Sequence, residues 1–159
     1  MPGQSSPRYG WDTCVYIAWL LQEQAHAESL PPIAAIMQSA KENKAKIYTS
    51  VLTFAEISEL HLSQEQIRDM NESFKWGQHE YYDVDIRIAK RAQKIRDDLR
   101  ARAIPKIIRT PDAIHIATAI VLGVSEFHTL DDDLISLNCA PEVDCMRIRR
   151  PFVEQADLF

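Results

Sequence analysis

Asp12, Glu56, Asp112 and Asp131 are the residues of this chain best suited to chemistry, with Asp133 two positions past the last of them. Read singly, each has an ordinary structural account. Asp12 and Asp112 would cap a helix or face the positive end of its dipole, and Asp131 would be the first acid of a solvated turn. Glu56 would lie on a polar helix side with Glu59. Read together, they point elsewhere. Carboxylates crowded into a poorly solvated place repel and raise each other's pKa. Around a hard divalent cation, which takes oxygen ligands, they are readily tolerated. Glu56 sharpens the point, because it stands in an otherwise apolar helical stretch with no Lys or Arg between Val51 and Leu60. An acid placed there is costly without a partner, and a metal ion or a distant arginine would supply one.

The elements that must gather these acids are legible in the spacing. Thr110 fits a helix N-cap, Pro111 the first helical position and Asp112 the first turn. Ile114, Ile116, Ala117, Ile120 and Val121 leave that helix little polar surface, and Gly123 ends it. Asp12-Thr13 precede a helix that is apolar nearly all round from Cys14 to Leu21, which predicts burial or a share in a subunit interface. Pro31-Pro32 opens a helix to about Asn43, Ser50 fits the cap of the helix carrying Glu56, and Ser63 begins another to about Trp76. Asp85 caps the longest helix, to about Ala103, with Ile88, Ala92, Ile95 and Leu99 as its buried stripe. Residues 104–109 form a loop containing Pro105.

Strands are expected at Arg8–Trp11, where Gly10 weakens the pattern, and at 46–49, 80–84, 125–130 and 143–148. Strands separated by helical chain predict a parallel sheet covered on both faces, a single α/β domain over 8–151. A flexible lead-in, 1–7, and a C-terminal tail, 152–159, flank it. In such sheets functional groups collect at the carboxyl ends of strands, where Asp12 and Asp131 fall.

Composition narrows the class. A chain of 159 residues with 46% apolar and 26% charged residues fits one ordinary globular domain. Cys14, Cys139 and Cys145 have no metal-ligand spacing and, being odd in number, argue against a disulfide framework and for a reducing compartment. The first ten residues lack the apolar core of a signal peptide, and the apolar run after Thr13 is far short of the roughly 20 residues that cross a bilayer. A cytoplasmic location is expected.

The net charge of −5 argues against a generic polyanion binder. It conceals a basic segment, 86–109, in which nine basic residues against two acids give a local +7 and leave −12 for the remainder. Arg87, Lys90, Arg91 and Lys94 share one flank of the long helix. They fit either nucleic-acid phosphates or a solvated helix face.

Four motifs in order carry a family resemblance: Asp12-Thr13 after a strand, Thr53-Phe-Ala-Glu56-Ile57 in a helix, Pro111-Asp-Ala-Ile-His-Ile-Ala-Thr-Ala119, and Thr129-Leu-Asp131-Asp-Asp133-Leu134. The third is the most specific. The chain resembles a PIN domain over Arg8 to about Pro151, and is most similar to the VapC-type toxins of bacterial toxin–antitoxin pairs. The resemblance implies a three-layer α/β/α fold around a parallel sheet of four or five strands. It also implies a Mg²⁺- or Mn²⁺-dependent endoribonuclease, a small antitoxin partner and a homodimer.

Asp12, Glu56, Asp112 and Asp131 take the positions of the family's acidic ligands, with Asp133 as an accessory acid. Thr13 and Thr129 fit residues that orient carboxylates or water, and equally a helix start and a strand-end turn. His115, which also fits the family pattern, is read as structural rather than as a general base. One departure stands out: the family's first strand is usually an apolar run, whereas Arg8-Tyr-Gly-Trp11 predicts a short or irregular one.

Two other readings compete with metal-dependent RNA cleavage in a toxin. One is a PIN-like module that binds RNA or protein without cutting; the other is an RNA-processing nuclease outside any toxin pair. Phosphoryl-transfer folds with acidic Mg²⁺ sites are disfavoured. A haloacid-dehalogenase-like phosphatase would want an acid where Cys14 stands, and a receiver domain an adjacent acidic pair where Trp11-Asp12 stands.

Overall fold

In a computed structural model that describes residues 5–104 and 108–153, five parallel strands form one sheet in the order β3-β2-β1-β4-β5. The strands are β1 (Arg8–Trp11), β2 (Lys46–Ser50), β3 (His79–Tyr82), β4 (Glu126–His128) and β5 (Arg147–Arg149). Helices α1 (Thr13–Leu21), α2 (Leu30–Lys41), α3 (Leu52–Ile57), α4 (Gln64–Ser73), α5 (Ile86–Ala101), α6 (Thr110–Leu122) and α7 (Asp132–Ile135) connect them. Residues 1–4 of the expected lead-in, 105–107 of the proline loop and 154–159 of the tail lie outside the described residues.

Side chains alternate across the sheet and build a core on each face. Trp11 and Ile47 face a core with Val15, Tyr16, Ala18, Ile33, Ile36 and Met37 of α1 and α2. Phe127 and Ile148 face the other core, with α6 and the α5 stripe Ile88, Ala92, Ile95 and Leu99. The result is the expected three-layer α/β/α arrangement.

The first strand is short, as expected, but it pairs regularly on both sides. Arg8, Tyr9 and Gly10 pair with Lys46, Ile47 and Tyr48, while Tyr9, Gly10 and Trp11 pair with Glu126, Phe127 and His128. β1 is the central strand, and Gly10 is what lets α6 lie close upon it. A Cβ built on Gly10 would fall 2.9 Å from Ala119 Cβ and 3.1 Å from Phe127 Cδ2. The residue that weakened the strand in sequence is therefore a packing requirement for the helix carrying Asp112.

Other boundaries shift for identifiable reasons. Ser50 does not cap α3. It closes β2, its Oγ accepts from the Leu52 amide at 3.2 Å, and Val51 takes the N-cap position. Thr110 is likewise no cap: Arg109 holds the extended N-cap conformation, and Thr110 Oγ1 accepts from Arg96 Nη1 at 2.8 Å. Pro111 and Asp112 still lie in the first turn, and Gly123 ends the helix with φ 61°.

Ser63 makes the expected reciprocal bonds with Gln66. Asp85 accepts from the amides of Arg87 and Ile88. β3 begins at His79 rather than Glu80, and β4 is confined to three residues. β5 starts at Arg147 rather than Val143, because Pro141–Val143 form a 3-10 turn and Asp144 and Cys145 turn left-handed.

Candidate active site

The carboxyl ends of β1 and β4 set the first two acids. Beyond β1 the Asp12 amide donates to His128 O at 3.0 Å, and beyond β4 the Thr129 amide donates to Arg149 O at 3.1 Å, so sheet pairing continues into the site. Asp12 then caps α1, accepting from the Thr13 amide at 2.8 Å. Its other oxygen accepts from Thr129 Oγ1 at 2.8 Å and from Cys14 Sγ at 3.3 Å. Thr129 Oγ1 also accepts from the Asp131 amide at 3.1 Å, so one hydroxyl links Asp12 to the segment bearing Asp131.

Asp131 caps α7 by accepting from the Asp133 amide at 2.8 Å. The cap foreseen for Asp12 is therefore real. Asp131 caps a helix where a solvated turn was expected, and Asp112 lies in the first turn of α6 rather than at its cap. None of this accounts for the surroundings of Asp12. Asp12 is almost wholly buried, and burial pushes its pKa up. The charge of His115 and the Thr129 and Cys14 bonds oppose that rise, while the charge of Asp112 adds to it.

The third and fourth acids are held by basic side chains of this chain, an arginine and a histidine. Asp112, buried at the start of α6, receives Arg109 Nε at 2.9 Å on one oxygen and Nη2 at 3.1 Å on the other. Glu56 on α3 receives His115 Nε2 at 2.6 Å and Thr13 Oγ1 at 3.2 Å. The partner that its sequence environment demanded is thus a histidine one turn beyond Asp112.

Burial alone would lower the His115 pKa, but the Glu56 bond and the charges of Asp12, Glu56 and Asp112 outweigh it and raise it. Burial would raise Glu56, but the His115 bond and charge, the Thr13 bond and the Arg109 charge outweigh that and lower it. Asp12, Glu56 and Asp112 thus share His115, while Glu56, Asp112 and Asp131 share the field of Arg109.

Behind the acids runs a buried relay that sequence reasoning missed. Trp11 Nε1 donates to His128 Nδ1 at 3.2 Å, and His128 Nε2 donates to Glu126 at 3.1 Å. Glu126 also accepts from Arg149 at 2.7 Å and from Arg147 at 3.3 Å. It ties β1, β4 and β5 together one residue before Asp12 and Thr129. Burial would raise the Glu126 pKa, but His128 and Arg149 bring it down to about 2.

The basic flank of α5 stands apart from these acids. Arg87 pairs with Asp85, Arg91 with Asp144, and Lys94 with Asp98, each at 2.7–2.9 Å. Lys90 is exposed. Cys14, Arg109 and His115 are the site residues that sequence reasoning missed or undervalued. Only His115 carried a signal, its place three residues after Asp112 on one helix face.

The chain's sequence matches the family profile of the PIN domain over residues 11–138. The chain belongs to the PIN domain family. PIN domains are generally nucleases and typically use divalent metals.

Solved structures agree on the fold. The VapBC2 complex of Rickettsia felis, bound to a DNA fragment from its promoter, is similar with a TM-score of 0.64 and 15% identity, over 90% of this chain and 98% of that one. FitAcB of Neisseria gonorrhoeae is similar with a TM-score of 0.59 and 21% identity, over 91% and 97%. A toxin–antitoxin complex of Klebsiella pneumoniae gives 0.53 and 17%, over 94% and 100%. No curated protein matches the sequence.

The donor set of this PIN domain fits a hard divalent ion in kind: carboxylate oxygens, two of them on nearly buried acids, at one end of a parallel sheet. The present side-chain arrangement turns Glu56 to His115 and Asp112 to Arg109. In it, no three His, Cys, Asp or Glu among the described residues stand together as a set able to hold one ion.

Proposed function

We propose that this PIN domain is a Mg²⁺- or Mn²⁺-dependent endoribonuclease, acting as the toxin of a toxin–antitoxin pair. The observation that carries the reading is a nearly buried carboxylate, Asp12, which shares His115 with Glu56 and Asp112. Like charges are gathered there at a cost to stability, which a functional site explains and a structural one does not. Asp12, Glu56, Asp112 and Asp131 would hold the ion, with Asp133 as an accessory acid. Such an ion activates water and neutralises charge developing on phosphoryl oxygens.

The remaining residues position. Thr129 fixes one oxygen of Asp12 and the backbone of Asp131 through a single hydroxyl. Thr13 donates to Glu56 and lies 3.1 Å from His115 Nε2. His115 keeps the structural role of orienting Glu56. For RNA binding, Arg87, Lys90, Arg91 and Lys94 are the candidate phosphate contacts, although Arg87, Arg91 and Lys94 already face acids of this chain.

The antitoxin rests on the VapBC2, FitAcB and Klebsiella likenesses. A homodimer rests on the family resemblance and on the apolar α1. Trp19 of that helix packs partly into its own core, so sedimentation of the free chain is the direct test. No helix among the described residues is long and apolar enough to cross a membrane, and a cytoplasmic site of action is part of the proposal.

The deciding experiment incubates RNA with the full chain, with and without Mg²⁺ or Mn²⁺, beside Asp12→Asn and Asp112→Asn. Cleavage that needs the ion and is lost in both variants supports the reading. Cleavage surviving chelation, or wild-type rates in both variants, would overturn it. Growth arrest on expression, relieved by a co-expressed small partner, separates a toxin from an RNA-processing nuclease.

A further inference from the structure

We propose that Arg109 is a built-in competitor of the divalent cation: its guanidinium holds both oxygens of Asp112 and must let go before the ion can take them. The inference rests on the reading of Asp112 as a metal ligand.

Three observations carry it. The first is that the pair is two-pronged, Nε to Oδ2 at 2.9 Å and Nη2 to Oδ1 at 3.1 Å, leaving neither carboxylate oxygen without a charged donor. A fork of this kind is among the stronger ion-pair geometries. The second is asymmetry. The Asp112 side chain is 7% exposed and that of Arg109 is 73% exposed, so the cation can swing into solvent while the acid stays fixed in the core. Arg109 also sits at the N-cap, outside the hydrogen-bonded body of α6, and swinging its side chain away costs the helix no side-chain cap bond.

The third is reach. The guanidinium feels Glu56 and Asp131 as well as Asp112, which places its charge among the same acids a divalent ion would join. Arg96, the other arginine at this turn, is committed elsewhere, to Ile108 O and Thr110 Oγ1. Among the described residues, the hydrogen bonds of the Arg109 guanidinium go to Asp112.

A cation placed this way does two things. It relieves the repulsion among the acids when no metal is bound, and it sets a threshold that metal must exceed. Arg109→Gln removes both effects, so the metal-free chain loses stability while its intrinsic affinity for metal rises. Arg109→Lys keeps the charge but not the fork, and should fall between the two.

The test is calorimetric titration of Mn²⁺ alone into the full chain, without RNA, for wild type, Arg109→Gln, Arg109→Lys and Asp112→Asn, with thermal unfolding of each in the metal-free state. The expected result is Mn²⁺ binding to Arg109→Gln roughly tenfold tighter than to wild type, an intermediate value for Arg109→Lys, and loss of binding in Asp112→Asn. Equal or weaker binding in both arginine variants, with Asp112→Asn still defective, overturns the competitor role and leaves the metal-site reading standing. Undiminished binding in Asp112→Asn overturns the metal-site reading itself, and the competitor role with it. Should Arg109→Gln fail to fold, Arg109→Lys decides alone, since tighter binding than wild type supports the competitor role and equal or weaker binding overturns it.

Discussion

Replacing Gly10 by alanine tests the packing that seats α6, and with it the nearly buried Asp112, beside the strand that ends at Asp12. The added Cβ would stand 2.9 Å from Ala119 Cβ, 3.1 Å from Phe127 Cδ2 and 3.4 Å from Val124 Cγ2. Carbon atoms rest at about 3.5–4.0 Å, so α6 must retreat from β1 by roughly 0.5–1 Å. Neither obstacle can swing aside, because Ala119 has no rotamer to change and Phe127 is buried against the sheet. Overpacking of this kind costs about 1–3 kcal/mol. Alanine returns about 0.5–1 kcal/mol by restricting the unfolded chain, leaving a net loss of roughly 1–2 kcal/mol.

For a domain of this size that is a fall of about 2–8 °C in Tm, readable by calorimetry and by a lower urea midpoint. Ala119→Gly removes the opposing Cβ at a helix cost of about 1 kcal/mol. The double variant should therefore be no less stable than Ala119→Gly alone. Activity should fall in Gly10→Ala and recover in the double variant, because α6 carries Asp112. Strictly additive losses, or a Gly10→Ala midpoint equal to wild type, would refute the close-approach account.

Three further outcomes are expected. Asp12→Asn should abolish cleavage while raising the Tm of the metal-free protein, since it removes a buried charge that sits near Asp112; a lower Tm would show that the carboxylate earns its place structurally. His79, buried against Phe74 and 2.6 Å from Tyr16 Oη, has its pKa lowered to about 3 by burial, and a folded pKa below the unfolded value means stability is lost as pH falls from 6.5 toward 3. The ceiling on that loss is about 5 kcal/mol, and urea midpoints of His79→Gln that fall as steeply as wild type across this window would contradict it. Glu126, lowered to about 2, contributes stability that is complete above pH 4.5 and disappears as pH falls through 2, with a ceiling of about 3 kcal/mol; Glu126→Gln should be less stable at pH 7 and show a flatter acid limb in that lower window.

The fold was legible because its signals were local. The α5 stripe, the Asp85 and Ser63 caps and Gly123 each act within a few residues, and each stands where spacing placed it. Strand ends were less legible, since ladder pairing decides them: nothing in 143–148 announces that a 3-10 turn consumes its first residue. Gly10 was misread for a related reason. A strand glycine looks like weakness until Ala119 of a helix far along the chain is known to lie on it.

At the site, the acids were legible as a set through motif order, whereas their partners were not. Glu56 called for a metal or an arginine and found His115, and Thr110 looked like a cap because Arg109 carries no cap signal at all. Residue type and spacing reveal which groups have unmet needs. Which group meets them is a fact of tertiary structure.

That distinction bears on how the acids are held in the arrangement seen. Asp12 is fixed from behind, by Thr129, Cys14, the α1 amide and a strand end tied through Trp11 and His128 to Glu126. Asp112 is fixed by the close seating of α6 on Gly10. Glu56 and Asp112 are otherwise engaged by His115 and Arg109, whose pairs are of opposite character: His115 is buried, whereas Arg109 lies in solvent. Repulsion among the acids therefore has one rigid remedy and one removable one. If the cluster holds a divalent ion as proposed, that ion competes chiefly with the removable one, and metal occupancy should depend on Arg109 far more than on the buried scaffold.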